Sequence, residues 1–479
     1  MAERGRRRDD WLGRAPCLIG GDWVTTPGDA VPVVDPYTER AIGEAGEAGP
    51  DLVEKAVDAA ARAAASWGAS DPEARAELLE RLAALLDEHA ADLAALVTRQ
   101  MGMPAALARA SQAELPAAVL RSFAGLARTT AWRERIEGAE LVRVPRGVVG
   151  AITPWNMPVH QIVAKLGAAL AAGNTVVLKP SEQTPFDAVR FGELCLDAGL
   201  PAGVVNIVHG TGPVTGSALA ASPGVDAVSF TGSVGAGRTV AELAARHLAP
   251  VTLELGGKSP AVVLPDADLA SAVPAVVRSG LVNSGQACNA TTRLVLPRAR
   301  AADATELIAR ALEGLTPGDP MLPETTFGPL SSARQRDRVL EHLAAAGDSP
   351  ALTAHEDNLP GHGYFVAPRV FTGLPAGSPL LREEIFGPVL AVQWYDDEDE
   401  AARLAGDSDY GLSAEVWSAD PDRAAAFGRR LRVGQVKVNG VRTRERPAVP
   451  FGGFGLSGFG RELGAEGLLE MTTVQAVMS

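Results

Sequence analysis

The sequence predicts an α/β protein in which a doubly wound parallel-sheet domain is followed by a second α/β domain. Three observations predict it. From about residue 147, short apolar runs alternate with stretches of helical periodicity, the pattern of βαβ units. Residues 50–125 carry only the helical period. The length, 479 residues, is too great for one hydrophobic core, so two or three domains are expected.

Each element follows from local pattern. Leu52 to Trp67 and Glu73 to Ala95 space Leu, Ala and Val three and four residues apart, as a helix packed on a core requires. Gly147 to Ile152 is apolar and bounded by glycine, which suits a buried strand. A helical pattern over 158–171 leads to the strand-like Thr175 to Leu178, and one over 185–198 to Val204 to Ile207. Helix-like 213–221 then precedes Ala227 to Phe230. A second α/β set runs from Pro260 to about Gly440, with Gly363 to Val366 and Val436 to Val438 among its strand candidates. In doubly wound sheets, ligands bind beyond the carboxyl ends of the strands. Thr153-Pro154-Trp155-Asn156, Lys179-Pro180-Ser181-Glu182 and Thr231-Gly232-Ser233 stand at three such ends, which predicts a cofactor crevice.

Composition narrows the function. With 46% hydrophobic and 21% charged residues the chain reads as globular. A net charge of −14 argues against nucleic acid and anionic membrane surfaces as partners. Three cysteines are too few for a disulfide scaffold and point to a reducing compartment. The seven histidines are scattered, and no metal-ligand cluster is evident in the sequence. No apolar run approaches the roughly 18 residues of a membrane span. Arg6, Arg7 and Arg8 lack the apolar segment of a twin-arginine signal, so a cytoplasmic protein is expected.

Chemistry concentrates at a few residues. Cys288 lies in Asn283-Ser284-Gly285-Gln286-Ala287-Cys288-Asn289, where small neighbours let a substrate approach the backbone; a lone cysteine is otherwise most often a core thiol. Glu254 ends the apolar run Val251 to Leu255. It is either the solvent face of an alternating strand or a carboxylate at a cleft able to move a proton. Gly232 to Gly237 opens a helix whose free N–H groups suit a phosphate, although many βα turns are glycine-rich only for geometry. Lys179 and Glu182 form either a surface ion pair or a grip on a ribose diol.

Together these stretches resemble the aldehyde dehydrogenase superfamily of the nicotinamide-dependent, non-phosphorylating, hydrolytic kind. The resemblance begins at Ile19-Gly20-Gly21-Asp22-Trp23 and takes in Pro154-Trp155-Asn156, Phe230-Thr231-Gly232-Ser233, Glu254-Leu255-Gly256-Gly257-Lys258 and Gly285-Gln286-Ala287-Cys288. It continues through Glu383-Glu384-Ile385-Phe386-Gly387-Pro388, Pro450-Phe451-Gly452-Gly453 and Gly460-Arg461-Glu462. It implies a Rossmann-like coenzyme domain over 1–125 and 146–256 and a catalytic domain over 257–446. A small oligomerisation element is implied over 126–145 and 447–479, with a homo-dimer or homo-tetramer as the assembly.

The resemblance also implies roles. Cys288 adds to an aldehyde carbon; Asn156 and the Cys288 N–H hold the oxyanion; hydride leaves for the nicotinamide; Glu254 activates water to hydrolyse the thioester. Lys165 and Glu462 match positions of a proton relay. On the cofactor side, Lys179 and Glu182 would hold the adenine ribose, Ser233 the pyrophosphate, Glu384 the nicotinamide ribose, and Phe386 the nicotinamide. Thr153, Trp155, Ser181, Gly212, Thr231, Gly232 and Leu255 would complete that site. Glu182 implies NAD, with NADP the alternative.

Met157 and Ala164 stand where relatives carry tunnel aromatics. Their replacement implies a wider tunnel, disfavours a quaternary ammonium substrate, and predicts a medium-sized, mostly apolar or aromatic aldehyde. Thr473 replaces a frequent glutamate, the tail stops at Ser479, and the loop between about 346 and 360 reads as short. A coenzyme A-acylating semialdehyde dehydrogenase and a silent binding scaffold are the competing readings; retention of Glu254, Cys288 and Asn156 disfavours both.

Overall fold

The computed structural model describes residues 13–441 and 446–478; Arg6, Arg7, Arg8 and Ser479 lie outside the described residues. An eight-stranded sheet orders Gly458–Phe459, Val251–Glu254, Ala227–Thr231, Val148–Ile152, Thr175–Lys179, Val205–Ile207, Cys17–Ile19 and Asp22–Val24. From Val148–Ile152 the chain steps outward through Thr175–Lys179 to Val205–Ile207, all parallel, then returns to the other side at Ala227–Thr231. The winding therefore reverses between Val148–Ile152 and Ala227–Thr231, where such sheets open a crevice. Register fixes what lines it. Ile152 pairs with Lys179 and with Phe230, and Thr231 with Glu254, so the functional residues follow one sheet edge. The three inner strands are buried throughout, which is why they read as apolar runs.

Helix Pro158–Ala171 is buried at every residue but the half-buried His160 and begins with proline, whose fixed φ suits the first helical position. The expected single helix from Glu73 to Ala95 is two, Pro72–Glu88 and Ala90–Met101. The break is at His89, whose φ of −99° and ψ of 18° leave the helical range. Both halves still bury leucines in the core shared with Pro158–Ala171, so the apolar spacing persisted across the bend. A π-helical turn, Ala110–Glu114, precedes Leu115–Thr129.

The second sheet orders Ala351–Thr353, Arg369–Phe371, Val389–Tyr395, Arg293–Pro297, Pro260–Val263, Ser413–Trp417 and Gln435–Val438, parallel except for its first strand. The supposedly short loop at 346–360 thus supplies an edge strand. Gly363 to Val366 is not a strand. Gly363 has φ +85°, its N–H donates to Glu39 Oε1 (2.7 Å), and the Tyr364 N–H donates to the Pro36 carbonyl (3.0 Å), so its donors are taken outside any sheet. Arg133–Ile136, Ala139–Pro145 and Thr472–Met478 make a separate three-stranded sheet with Thr472–Met478 at one edge. Arg14–Ala15, Arg40–Gly46 and Ala30–Asp35 make another.

Candidate active site

Five residues carry the chain from Glu254, at the carboxyl end of the first sheet, to Pro260, at the start of the second. The cleft therefore lies where the two sheets meet. Gly256 and Gly257 are required there by contact. A Cβ on Gly256 would lie 2.1 Å from Glu384 Oε2, and one on Gly257 would lie 2.6 Å from the Cys288 carbonyl oxygen.

The loop before Cys288 is held in a costly shape. Asn283 (φ 52°) and Ser284 (φ 56°) are left-handed, and Gly285 follows at φ 78°. Each non-glycine residue so held costs about 1–3 kcal/mol, which the surroundings must offset. Asn283 Nδ2 donates to the Asn156 carbonyl (3.2 Å), Ser284 Oγ to the Gly328 carbonyl (2.7 Å), and Gln286 Oε1 accepts from the Ser331 N–H (2.9 Å). Asn156 Nδ2 in turn donates to the Gln286 carbonyl at 3.1 Å. Cys288 sits deep in the protein yet keeps partial exposure. Burial, with the nearby charges of Glu384 and Glu254, pushes its thiol up to about 12, while Lys437 opposes the rise. The resting group is a neutral thiol that needs a base.

Glu254 is 2% exposed, which excludes the solvent-face reading. Neither carboxylate oxygen has a hydrogen-bond donor in reach among the described residues. Burial and then Glu462 push its carboxyl well above the usual carboxylate range, against Lys165 and Arg461. Lys165 is fully buried and pairs with Glu462, and its Nζ also donates to Thr231 Oγ1 (2.7 Å) and Ser229 Oγ (3.2 Å). Thr231 Oγ1 donates on to Gln161 (3.1 Å), so its hydroxyl is engaged in this network.

At the cofactor edge, buried Lys179 reaches Glu182 Oε2 over 3.1 Å. Ser233 caps helix Val234–Ala245, its Oγ accepting from the Ala236 N–H, and Gly212 opens a π-helical turn, Gly212–Gly216. Leu255 packs where a side chain on Gly237 would stand. The Thr153 N–H donates to the Lys179 carbonyl (3.1 Å), and Ser181 Oγ accepts from the Gln183 N–H (3.2 Å). Trp155 meets Phe386 edge-on, with ring centroids 5.4 Å apart. Glu384, raised to about 7 mainly by burial, accepts the Gly257 N–H at 3.0 Å. A helix N-terminus for a pyrophosphate, a Lys–Glu grip for a diol and a second buried carboxylate fit a dinucleotide.

A cavity of about 220 Å³ reaches the residues on either side of Cys288, Ala287 and Asn289. Met157 lines it, as expected. Ala164 does not, being packed in the core; the π turn instead puts Gln112 Nε2 3.0 Å from the Met157 sulfur. Trp417, Glu415 and Lys437, which the sequence reading missed, also line the cavity. Glu415 interrupting the apolar run Ser413–Trp417 was the available signal. Gln161 and Ser229 were missed as well, because nothing in a helical or strand pattern says which buried polar groups converge.

The aldehyde dehydrogenase family profile matches residues 23–477. A geranial dehydrogenase of Castellaniella defragrans is 40% identical over 460 residues, covering 94% of this chain and 96% of the relative. A 3-succinoylsemialdehyde-pyridine dehydrogenase of Pseudomonas sp. is 39% identical, covering 96% and 97%. Among solved structures, a cysteine-to-alanine mutant of aldehyde dehydrogenase C from Pseudomonas syringae, in complex with NAD+ and octanal, superimposes with a TM-score of 0.95. It is 39% identical and covers 99% of this chain and 98% of that one. An NAD+ complex of a Bacillus cereus aldehyde dehydrogenase gives 0.94 at 35% identity, covering 100% and 99%. The chain belongs to the aldehyde dehydrogenase family, oxidoreductases whose reaction is the NAD-dependent oxidation of aldehydes to carboxylic acids.

Proposed function

We propose that Cys288, Glu254 and Asn156 carry this reaction. Glu254 takes the thiol proton, and Cys288 Sγ bonds to the aldehyde carbon. The Asn156 amide and the Cys288 N–H hold the resulting oxyanion; a preorganised donor of this kind is worth about 3 kcal/mol of barrier. Bound NAD supplies the hydride acceptor. Loss of hydride leaves an acyl thioester on Cys288. Once that first proton has left Glu254, the carboxylate removes a proton from water, hydroxide adds to the acyl carbon, and the C–S bond breaks to release the acid and the thiolate. Lys165 and Glu462, adjacent to Glu254, pass the proton outward. Lys179, Glu182 and Ser181 take the adenine ribose, Ser233, Gly232 and Gly212 the pyrophosphate, and Glu384 the nicotinamide ribose. Thr153, Trp155, Thr231, Leu255 and Phe386 border the nicotinamide, and NAD is preferred to NADP.

The observation that carries this reading is Glu254: buried, without a donor among the described residues, and close enough in charge to raise the Cys288 thiol. Its test is NADH formation from an aldehyde by wild type, Cys288→Ala and Glu254→Gln, with product analysis. The expected outcome is no turnover for Cys288→Ala, and for Glu254→Gln a loss of both NADH formation and acid release, because the base for the thiol and for water is gone. Full turnover by Cys288→Ala, or product only when coenzyme A is added, would refute it.

We further propose the division into a coenzyme domain (1–125, 146–256), a catalytic domain (257–446) and an oligomerisation element (126–145, 447–479) in a cytoplasmic homo-dimer or homo-tetramer. The edge strand Thr472–Met478 and exposed Ile136, Val474, Val477 and Met478 support self-association through that sheet. A monomer by light scattering would refute it.

A further inference from the structure

Strand alternation sends Ala414 and Val416 into the core and turns Glu415 and Trp417 to the cavity face. Lys437 is the register partner of Glu415 on the neighbouring strand and lines the same cavity. Glu415 is only 4% exposed. It accepts from Ser279 Oγ (2.5 Å) and, at a long 3.4 Å, from Trp417 Nε1. A carboxylate has about four acceptor positions, so Glu415 retains capacity toward the cavity. Leu107, Met157 and Val282 supply apolar wall elsewhere.

Resting on the aldehyde-oxidising function above, we propose that Glu415 and Lys437 form a tail-recognition subsite that selects aldehydes carrying a neutral hydroxyl away from the formyl group. An apolar tail would exclude water from the Glu415 carboxylate without replacing its hydrogen bonds. A cationic tail would face Lys437 and an anionic one Glu415. A hydroxyl donates to Glu415 and accepts from Lys437, with the methylenes between it and the formyl carbon on the apolar wall. This proposal departs from the expectation of a mostly apolar substrate.

The test compares ω-hydroxyaldehydes of several chain lengths with the alkanals in which methyl replaces the hydroxyl, using wild type, Glu415→Gln and Glu415→Ala. The readout is the hydroxyaldehyde-to-alkanal ratio of kcat/KM, and its division between KM and kcat. Because the ratio is taken within one preparation, loss of folded protein cancels. At the best length, wild type should favour the hydroxyaldehyde about tenfold through KM, the size of a hydrogen bond to a charged group, and both variants should bring the ratio close to one. A wild type that favours the alkanal at every length, or variants that keep the wild-type ratio, would overturn the subsite alone. A wild type that oxidises no aldehyde would overturn the function as well.

Discussion

Asn156 Nδ2 donates to the Gln286 carbonyl over 3.1 Å, fastening the carboxyl edge of the first sheet to the loop that carries Cys288. The Asn283 side chain returns the contact to the Asn156 carbonyl at 3.2 Å. Asn156 and the Cys288 loop, assigned above as oxyanion donor and nucleophile, are thus positioned by one another, and a shift of either segment moves both.

Replacing Asn156 with Ala should lower kcat by about 100- to 1000-fold, the range for removing one oxyanion donor. It should also destabilise the protein by about 1 kcal/mol, for one lost hydrogen bond. Steady-state kinetics beside thermal unfolding separates the two effects. An unchanged kcat would remove Asn156 from the mechanism.

Glu254 must be ionised to take a proton. Its folded-state carboxyl is pushed well above the ordinary range by burial and Glu462, so the active form is lost as pH falls through that raised value. Turnover should show an acid limb well above the ~4.3 of an ordinary glutamate. Lys165→Met, by removing the cation that opposes the rise, should move the limb further up. A limb near the ordinary value would contradict the assignment.

Lys165 and Glu462 are 0% and 2% exposed. Removing one member leaves an uncompensated buried charge, so Lys165→Met should cost about 3–5 kcal/mol in chemical denaturation. Lys165→Met combined with Glu462→Leu should recover most of that loss, because the charge then has no unpaired remnant. Equal instability of the single and double variants would argue against a coupled pair.

Glu182 pairs with Lys179 where the adenine ribose is assigned. A 2′-phosphate would face its carboxylate, so Glu182→Ser should raise the NADP-to-NAD ratio of kcat/KM about tenfold, equivalent to ~1.4 kcal/mol of relieved repulsion. A ratio that stays at the wild-type value would place the discrimination elsewhere.

Much of this was legible in the linear chain, for a local reason. A strand buried on both faces must be continuously apolar, so Val148–Ile152, Thr175–Lys179 and Ala227–Thr231 announce themselves together with the residues that follow them. Helix Pro158–Ala171 was bounded by the same logic. The bend at His89 was not, because the apolar spacing runs on across it, and neither was the irregular backbone of Gly363 to Val366, whose donors go to Glu39 and Pro36 far off in the chain.

The sequence by itself determined the α/β architecture and singled out the strand-end crevice with Cys288, Glu254 and Asn156 as candidates, since each rests on short-range pattern or motif. Only the tertiary structure decided that Glu254 is buried rather than solvent-facing, that Thr231 serves the Lys165 network, and that Glu415 and Lys437 share the cavity wall. Those outcomes turn on burial and on charges meeting across elements, and both arise when segments far apart in the chain exclude water between them.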